Sequence, residues 1–142
     1  MIQIHRTNSP QKTLDLAAGF AAQLVPGAFV ALEGDLGAGK TQFVRGLVQG
    51  LGGNPHQVSS PTFALLNIYD TPKLKVYHLD AYRLSAEEDL EAIGFSELLD
   101  QQGVVVVEWW QRVKGIVPAE KWLVRIESLS PKCRRFEIQH TA

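Results

Sequence analysis

Eight consecutive residues constrain this chain more than any other feature. Gly34-Asp35-Leu36-Gly37-Ala38-Gly39-Lys40-Thr41 follows the pattern G-x-x-x-x-G-K-[ST] in full. The pattern needs a strand before it and a helix after it, and the sequence supplies both. Ala28 to Leu32 is a short apolar run after the Pro26-Gly27 turn, as in a buried strand. Phe43, Val44, Leu47, Val48 and Leu51 recur at helical spacing from Thr41 until Gly52-Gly53 stops them. The residue types have separate uses. Glycines let successive backbone N–H groups turn inward around a polyphosphate, and the following helix directs its positive end at the same anion. A lysine at position 40 can reach β- and γ-phosphates, and the Thr41 hydroxyl can ligate Mg²⁺.

The remaining chain is read against that centre. Its 142 residues suit one domain spanning 1–142. Fourteen Lys+Arg against fifteen Asp+Glu, a formal net charge of -1, argue against a broad basic face that grips nucleic acid by charge alone. The single Cys133 excludes an internal disulfide framework and a cysteine-based zinc site, in keeping with a reducing, cytoplasmic setting. The apolar stretch Leu14 to Leu32 is broken by Asp15, Gln23 and Pro26-Gly27, short of the ~20 apolar residues a membrane span needs. Met1 to Thr13 reads as polar and weakly basic, unlike a signal peptide.

Ser9-Pro10 marks a helix start, followed by Leu14, Ala17/Ala18, Ala21 and Leu24/Val25 on one face. Strands are expected at Phe63–Tyr69 and Leu74–Asp80. Ser85 and Glu88 form a capping box for a helix through about Ile93, and a short helix is expected at Ser96–Leu99. Val104 to Val107, β-branched throughout, predicts a strand buried on both faces. Trp122–Ile126 and Arg135–His140 predict two strands joined across Ser130-Pro131-Lys132. The expected fold is α/β: a P-loop NTPase-like three-layer arrangement with a mostly parallel central sheet and an antiparallel C-terminal edge.

A phosphate-loop site needs an acid at the end of a neighbouring buried strand as a second Mg²⁺ anchor. Glu108 ends the valine strand and Asp80 ends the strand before it. In an open α/β sheet, ligands gather at the carboxyl ends of the strands, so both acids are candidates alongside Thr41 for the metal. Glu in this place has a longer reach than Asp, suiting contact through water or orientation of an attacking water. Asp100-Gln101-Gln102-Gly103 mimics the D-x-x-G of GTPases, but it precedes a buried strand, and no N-K-x-D guanine reader is present. ATP is therefore favoured over GTP. Thr62, in Ser60-Pro61-Thr62, lies after the loop helix where it can sense a γ-phosphate. His78 has no metal-ligand spacing to another histidine and reads as a satisfied sheet residue. Trp109 and Trp110 are expected on opposite faces, one in the core and one at the surface. Lys132, Arg134 and Arg135 read as a small basic cluster on a solvated hairpin.

Taken in order, Gly34 to Thr41, Ser60-Pro61-Thr62-Phe63, Tyr77-His78-Leu79-Asp80-Ala81-Tyr82-Arg83-Leu84 and Val107-Glu108-Trp109 resemble the TsaE family, bacterial ATPases required for threonylcarbamoyladenosine formation in tRNA, over nearly the whole chain. The resemblance implies that Lys40 and the loop backbone (Asp35, Leu36, Gly37, Ala38, Gly39 and Thr41) hold ATP, with Thr41 and Glu108 on Mg²⁺. It assigns Asp80 and Thr62 to hydrolysis or nucleotide sensing, and puts Trp109 beside the site. It makes the segment around Thr13 a nucleotide contact, and Lys132 or Arg135 the basic residue that reaches the nucleotide. Pro131-Lys132-Cys133-Arg134-Arg135 departs from the family's usual pattern there. The implied partners are protein subunits of the TsaD and TsaB type in the threonylcarbamoyl-transferase complex. Contact with tRNA would be mainly indirect, and no membrane is involved.

Three function classes follow. The first is an Mg²⁺-dependent ATPase subunit that supports or resets a tRNA-modifying complex. The second is a non-hydrolysing, ATP-gated interaction module, since no co-substrate pocket is evident. The third, a small-molecule kinase, lacks any segment long enough for an arginine-bearing lid.

Overall fold

The computed structural model describes residues 2–35, 37–59, 66–82 and 87–141, with the Glu88 side chain left aside. Seven strands form one mixed sheet among the described residues: β1 (Ile2–Thr7), β2 (Phe29–Glu33), β3 (Leu66–Tyr69), β4 (Val76–Asp80), β5 (Val104–Glu108), β6 (Lys121–Ser128) and β7 (Arg134–Thr141). Their order across the sheet is β1-β7-β6-β2-β5-β4-β3. The four central strands β6, β2, β5 and β4 run parallel. Antiparallel pairs flank them on both sides: β3 on β4, β7 on β6 and β1 on β7. The expected α/β class and mostly parallel centre are therefore present. The expected antiparallel C-terminal pair, β6 with β7, is present as well; β1 then extends that margin beyond β7, and the opposite margin is antiparallel too.

β1 was not anticipated. The burial of Ile2–Thr7 runs exposed, half-buried, exposed, half-buried, exposed, buried, and Ile2 and Ile4 lie on its exposed positions. Its isoleucines lie on the exposed face and Gln3 and His5 on the half-buried one, the reverse of the pattern that identifies a half-buried strand.

Helices cover both faces. On one, α1 (Pro10–Ala21) and α2 (Lys40–Gly50) bury Ala17, Phe20, Phe43, Val44 and Leu47 against Val30, Val106, Val124 and Phe136. On the other, α3 (Glu87–Glu91), α4 (Phe95–Leu99) and a 3₁₀ turn (Trp110–Ile116) bury Leu90, Phe95 and Val113 against Phe29, Ala31, Val105 and Val107. Alternation explains the division: even-numbered β5 residues face α1 and α2, and odd-numbered ones face the opposite layer. All five β5 residues are buried, as a strand of consecutive valines requires.

Local signals set the helix boundaries. Ser9 Oγ accepts from the Lys12 N–H at 3.1 Å, with Pro10 at the first helical position, as expected. The helix stops at Ala21, short of Leu24 and Val25, and two turn residues follow. Of the expected capping box, Ser85 lies outside the described residues.

α1 and α2 meet backbone to backbone. A Cβ on Gly46 would lie 2.5 Å from both Ala17 Cβ and the Leu14 carbonyl oxygen. Gly46 is there because nothing larger fits. Gly46→Val should cost about 1–3 kcal/mol by overpacking. Urea denaturation checks this: the midpoint should fall while its slope stays constant.

Candidate functional site

The carboxyl ends of β2, β4 and β5 bring the signature residues together. β2 ends at Glu33, the chain passes through the glycine loop, and α2 begins at Lys40. Gly39 caps that helix at φ 106°, a left-handed conformation open to glycine at little cost. The Ala38 N–H closes onto the Asp35 carbonyl at 3.0 Å, the Phe43 N–H onto the Gly39 carbonyl at 3.0 Å. Leu36 lies outside the described residues.

Lys40 does not extend into solvent. Its side chain is 7% exposed, with Nζ 3.6 Å from Glu108 Oε1. The Trp109 ring lies below that nitrogen, 4.6 Å from ring centroid to Nζ. An ammonium held between a carboxylate and an aromatic face is stabilised by both. The tryptophan reaches this place because the chain leaves β5 at once: Trp109 has φ 58° and ψ 37°. A left-handed tryptophan costs about 1 kcal/mol or more, a strain the surrounding contacts hold in place. Strand alternation ends at Glu108, so the expected inside-outside division of the tryptophans fails. Both are half-buried, and Trp110 Nε1–H donates to Glu33 Oε1 at 2.8 Å.

Asp80 and Glu108 are lateral partners in the β4–β5 register. Burial pushes the Asp80 carboxyl above the usual aspartate range, and Glu108 adds to the rise; the Tyr82 N–H, Lys40 and His78 pull the other way. Two neighbouring acids thus share one mouth with Lys40.

His78 is fully buried and its ring is satisfied, as expected, but through unexpected partners. Its Nε2–H donates to Glu108 Oε2 at 2.6 Å, and Nδ1 lies 3.2 Å from the Tyr69 hydroxyl. The Tyr69 hydroxyl is also 3.0 Å from the Ser59 carbonyl, and burial raises that phenol above its ordinary value. The signal was present in the sequence: His78 shares a strand face with Asp80, and that face meets Glu108.

The basic hairpin residues separate. Lys132 lines a crevice of about 70 Å³ with Thr13, Gly39 and Gln42. Thr13 is itself buried, its hydroxyl 2.8 Å from that of Thr7. Arg135 instead lines a cavity of about 450 Å³ with Asp35, Trp109, Arg125 and Glu137. Arg134, which the sequence did not single out from its neighbours, holds the loop: Nε–H donates to the Ala38 carbonyl at 2.9 Å and an Nη–H to that of Gly37 at 3.2 Å. Thr41 is half-buried beside Lys40 in the first turn of α2. Thr62 lies outside the described residues.

Fold and site define an α/β protein in which a glycine loop opens a helix onto a buried lysine–glutamate pair. A family model described as "Threonylcarbamoyl adenosine biosynthesis protein TsaE" matches residues 7–136. The chain is 40% identical over 114 residues to the "tRNA threonylcarbamoyladenosine biosynthesis protein TsaE" of Rickettsia prowazekii, covering 80% of this chain and 78% of that one. It is 40% identical over 122 residues to the protein of the same name from Bacillus subtilis, covering 86% and 75%. The crystal structure of Bacillus subtilis YdiB superposes with a TM-score of 0.81 at 30% identity, covering all of this chain and 87% of that one. The chain belongs to the TsaE family. No described helix is long and apolar enough to cross a membrane.

The raised Asp80 carboxyl has a stability consequence. A carboxyl raised by the fold is tolerated when protonated and disfavoured when ionised. Asp80→Asn keeps an oxygen to accept the Tyr82 N–H, now 2.9 Å from Oδ1. It should therefore be more stable than the parent at pH 7, an advantage that shrinks as pH falls towards the ordinary aspartate value of about 3.9. Denaturation midpoints of both proteins across that range measure it.

Proposed function

We propose that this protein is an Mg²⁺-dependent ATPase subunit of P-loop NTPase-like fold that supports threonylcarbamoyladenosine biosynthesis on tRNA. The observation that carries the reading is the Lys40–Glu108 pair, 3.6 Å apart and almost closed to water at the mouth of the glycine loop. A triphosphate in the glycine loop would offer Lys40 its phosphate oxygens and leave Glu108 facing the same space, available to an attacking water.

The residues fit the metal. Mg²⁺ is held through one or two carboxylates plus substrate phosphates, and Asp80 and Glu108 end adjacent strands with Thr41 on the first turn of α2. When bound, Mg²⁺ supplies neutralisation of charge on the β- and γ-phosphate oxygens. The chain's own groups do the rest: loop N–H groups and Lys40 orient the phosphates, and Glu108 orients water for in-line attack. Trp109 walls the site, and Thr13 with Lys132 supplies the crevice beside Gly39.

Relatives named for threonylcarbamoyladenosine biosynthesis support the pathway. Its partners would be transferase subunits of the TsaD and TsaB type in the cytoplasm. A net charge of -1 favours contact with tRNA mainly through those partners. Hydrolysis would support or reset their complex.

Two variants test the proposal, alone and with partners present. Lys40→Ala should weaken ATP binding by about 100-fold or more, about 2.7 kcal/mol. Glu108→Gln should keep binding within a few-fold while turnover falls about 10²–10⁴-fold. Undiminished phosphate release by both would overturn the reading. ATP-dependent partner binding without any phosphate release would establish the non-hydrolysing module instead.

A further inference from the structure

We propose that His78, backed by Tyr69, is a positioning residue that keeps Glu108 aimed at the phosphate loop after Lys40 turns to a nucleotide. The inference rests on the ATPase reading and extends it to residues that reading does not use.

The argument begins with the division of the Glu108 carboxylate. Oε1 faces Lys40 at 3.6 Å and Oε2 takes the His78 Nε2–H at 2.6 Å; among the described residues no other side chain bonds to it. Glu108 is 5% exposed. A buried carboxylate stripped of its partners is strongly disfavoured and would rotate away. If Lys40 moves to phosphate, the Oε1 contact is lost in the step for which Glu108 is needed. The Oε2 contact does not depend on Lys40 and can remain.

His78 is built to stay. It sits mid-strand in β4 with no exposed surface, and β4 is bonded on both sides, to β3 and β5. Its lateral partner in β5 is Val106, so the ring reaches diagonally, two residues along, to Glu108. The Tyr69 hydroxyl lies 3.2 Å from Nδ1 and opposes rotation of the ring, and the Ser59 carbonyl lies 3.0 Å from the same hydroxyl oxygen. A carboxylate at the last residue of a strand, followed directly by a left-handed tryptophan, has no strand neighbour beyond it to hold its side chain. The imidazole does so from the adjacent strand, as outer partners orient ligating groups at metal sites.

The test uses the full chain, with its transferase partners where turnover requires them, and reads two independent signals. First, in protein carrying ¹⁵N-histidine, His78 Nε2–H should give a low-field, slowly exchanging proton resonance. It should be absent from His78→Gln, shifted in Glu108→Gln, and retained when Mg²⁺ and a non-hydrolysable ATP analogue bind. Disappearance on analogue binding overturns the proposal, whatever the turnover. Second, His78→Ala should lower kcat about 10–100-fold with KM within about threefold. His78→Gln, whose amide N–H reaches nearly to the Nε2 position, should restore most of it. Equal loss in both variants, or a loss confined to KM, overturns the proposal. Should His78→Ala fail to fold, Tyr69→Phe serves in its place, with kcat down about fivefold, one hydrogen bond's worth, and KM unchanged. A wild-type chain that releases no phosphate even with partners removes the ATPase reading, and the resonance still decides whether His78 holds Glu108.

Discussion

The ammonium of Lys40 and the carboxylate of Glu108 face each other with almost no access to water, and much of the structure can be understood as what that burial requires. Taking two charges out of water costs several kcal/mol per ion even after relaxation, and their attraction offsets this only where the remaining valences are met. Here they are met from two directions. His78 takes the second carboxylate oxygen, and Trp109 covers the ammonium. Removing one partner leaves the other charge buried and exposed to the full penalty.

The sheet supplies the precision. Val104 to Val107 give no polar group for water to follow, so Glu108 emerges into the site from a dry strand. Parallel pairing of β2 with β5 and of β5 with β4 aligns three carboxyl ends, and the register sets Leu32 beside Glu108 and Glu108 beside Asp80. α2 then starts within a few residues of the end of β2, and its packing on α1 through Gly46 fixes the direction in which its first turn points.

Much of this was legible in the sequence because the signals were local. The glycine loop, the valine run and its terminal acid each declare themselves within eight residues. What stayed hidden depends on neighbours remote in sequence. β1 turns its isoleucines outward and its polar residues inward, so its apolar pattern does not mark a buried face. Tyr69, His78 and Glu108 are nine and thirty residues apart, and only the β3-β4-β5 order joins them. Alternation misled for Trp109 and Trp110 because it presumes a strand that continues, while the backbone turns left-handed immediately after Glu108.

The C-terminal basic cluster shows how topology sorts residues that composition lumps together. Lys132 sits in the hairpin turn and reaches the Thr13 crevice. Arg134 and Arg135 begin β7, so successive side chains must point to opposite faces. Arg134 falls on the face of Phe136, which stacks against Phe43 of α2, and its guanidinium therefore arrives at the loop. Arg135 falls on the face of Glu137, 3.9 Å from its carboxylate and beside the Arg125–Glu33 pair. A guanidinium whose donors are already spent on the Gly37 and Ala38 carbonyls orders the backbone of the glycine loop, while Lys132 is the hairpin cation beside Thr13. One residue of register in β7 would exchange the places of Arg134 and Arg135 and put Phe136 on the wrong face, so the glycine loop's support and the core's packing are secured by the same pairing with β6 and β1.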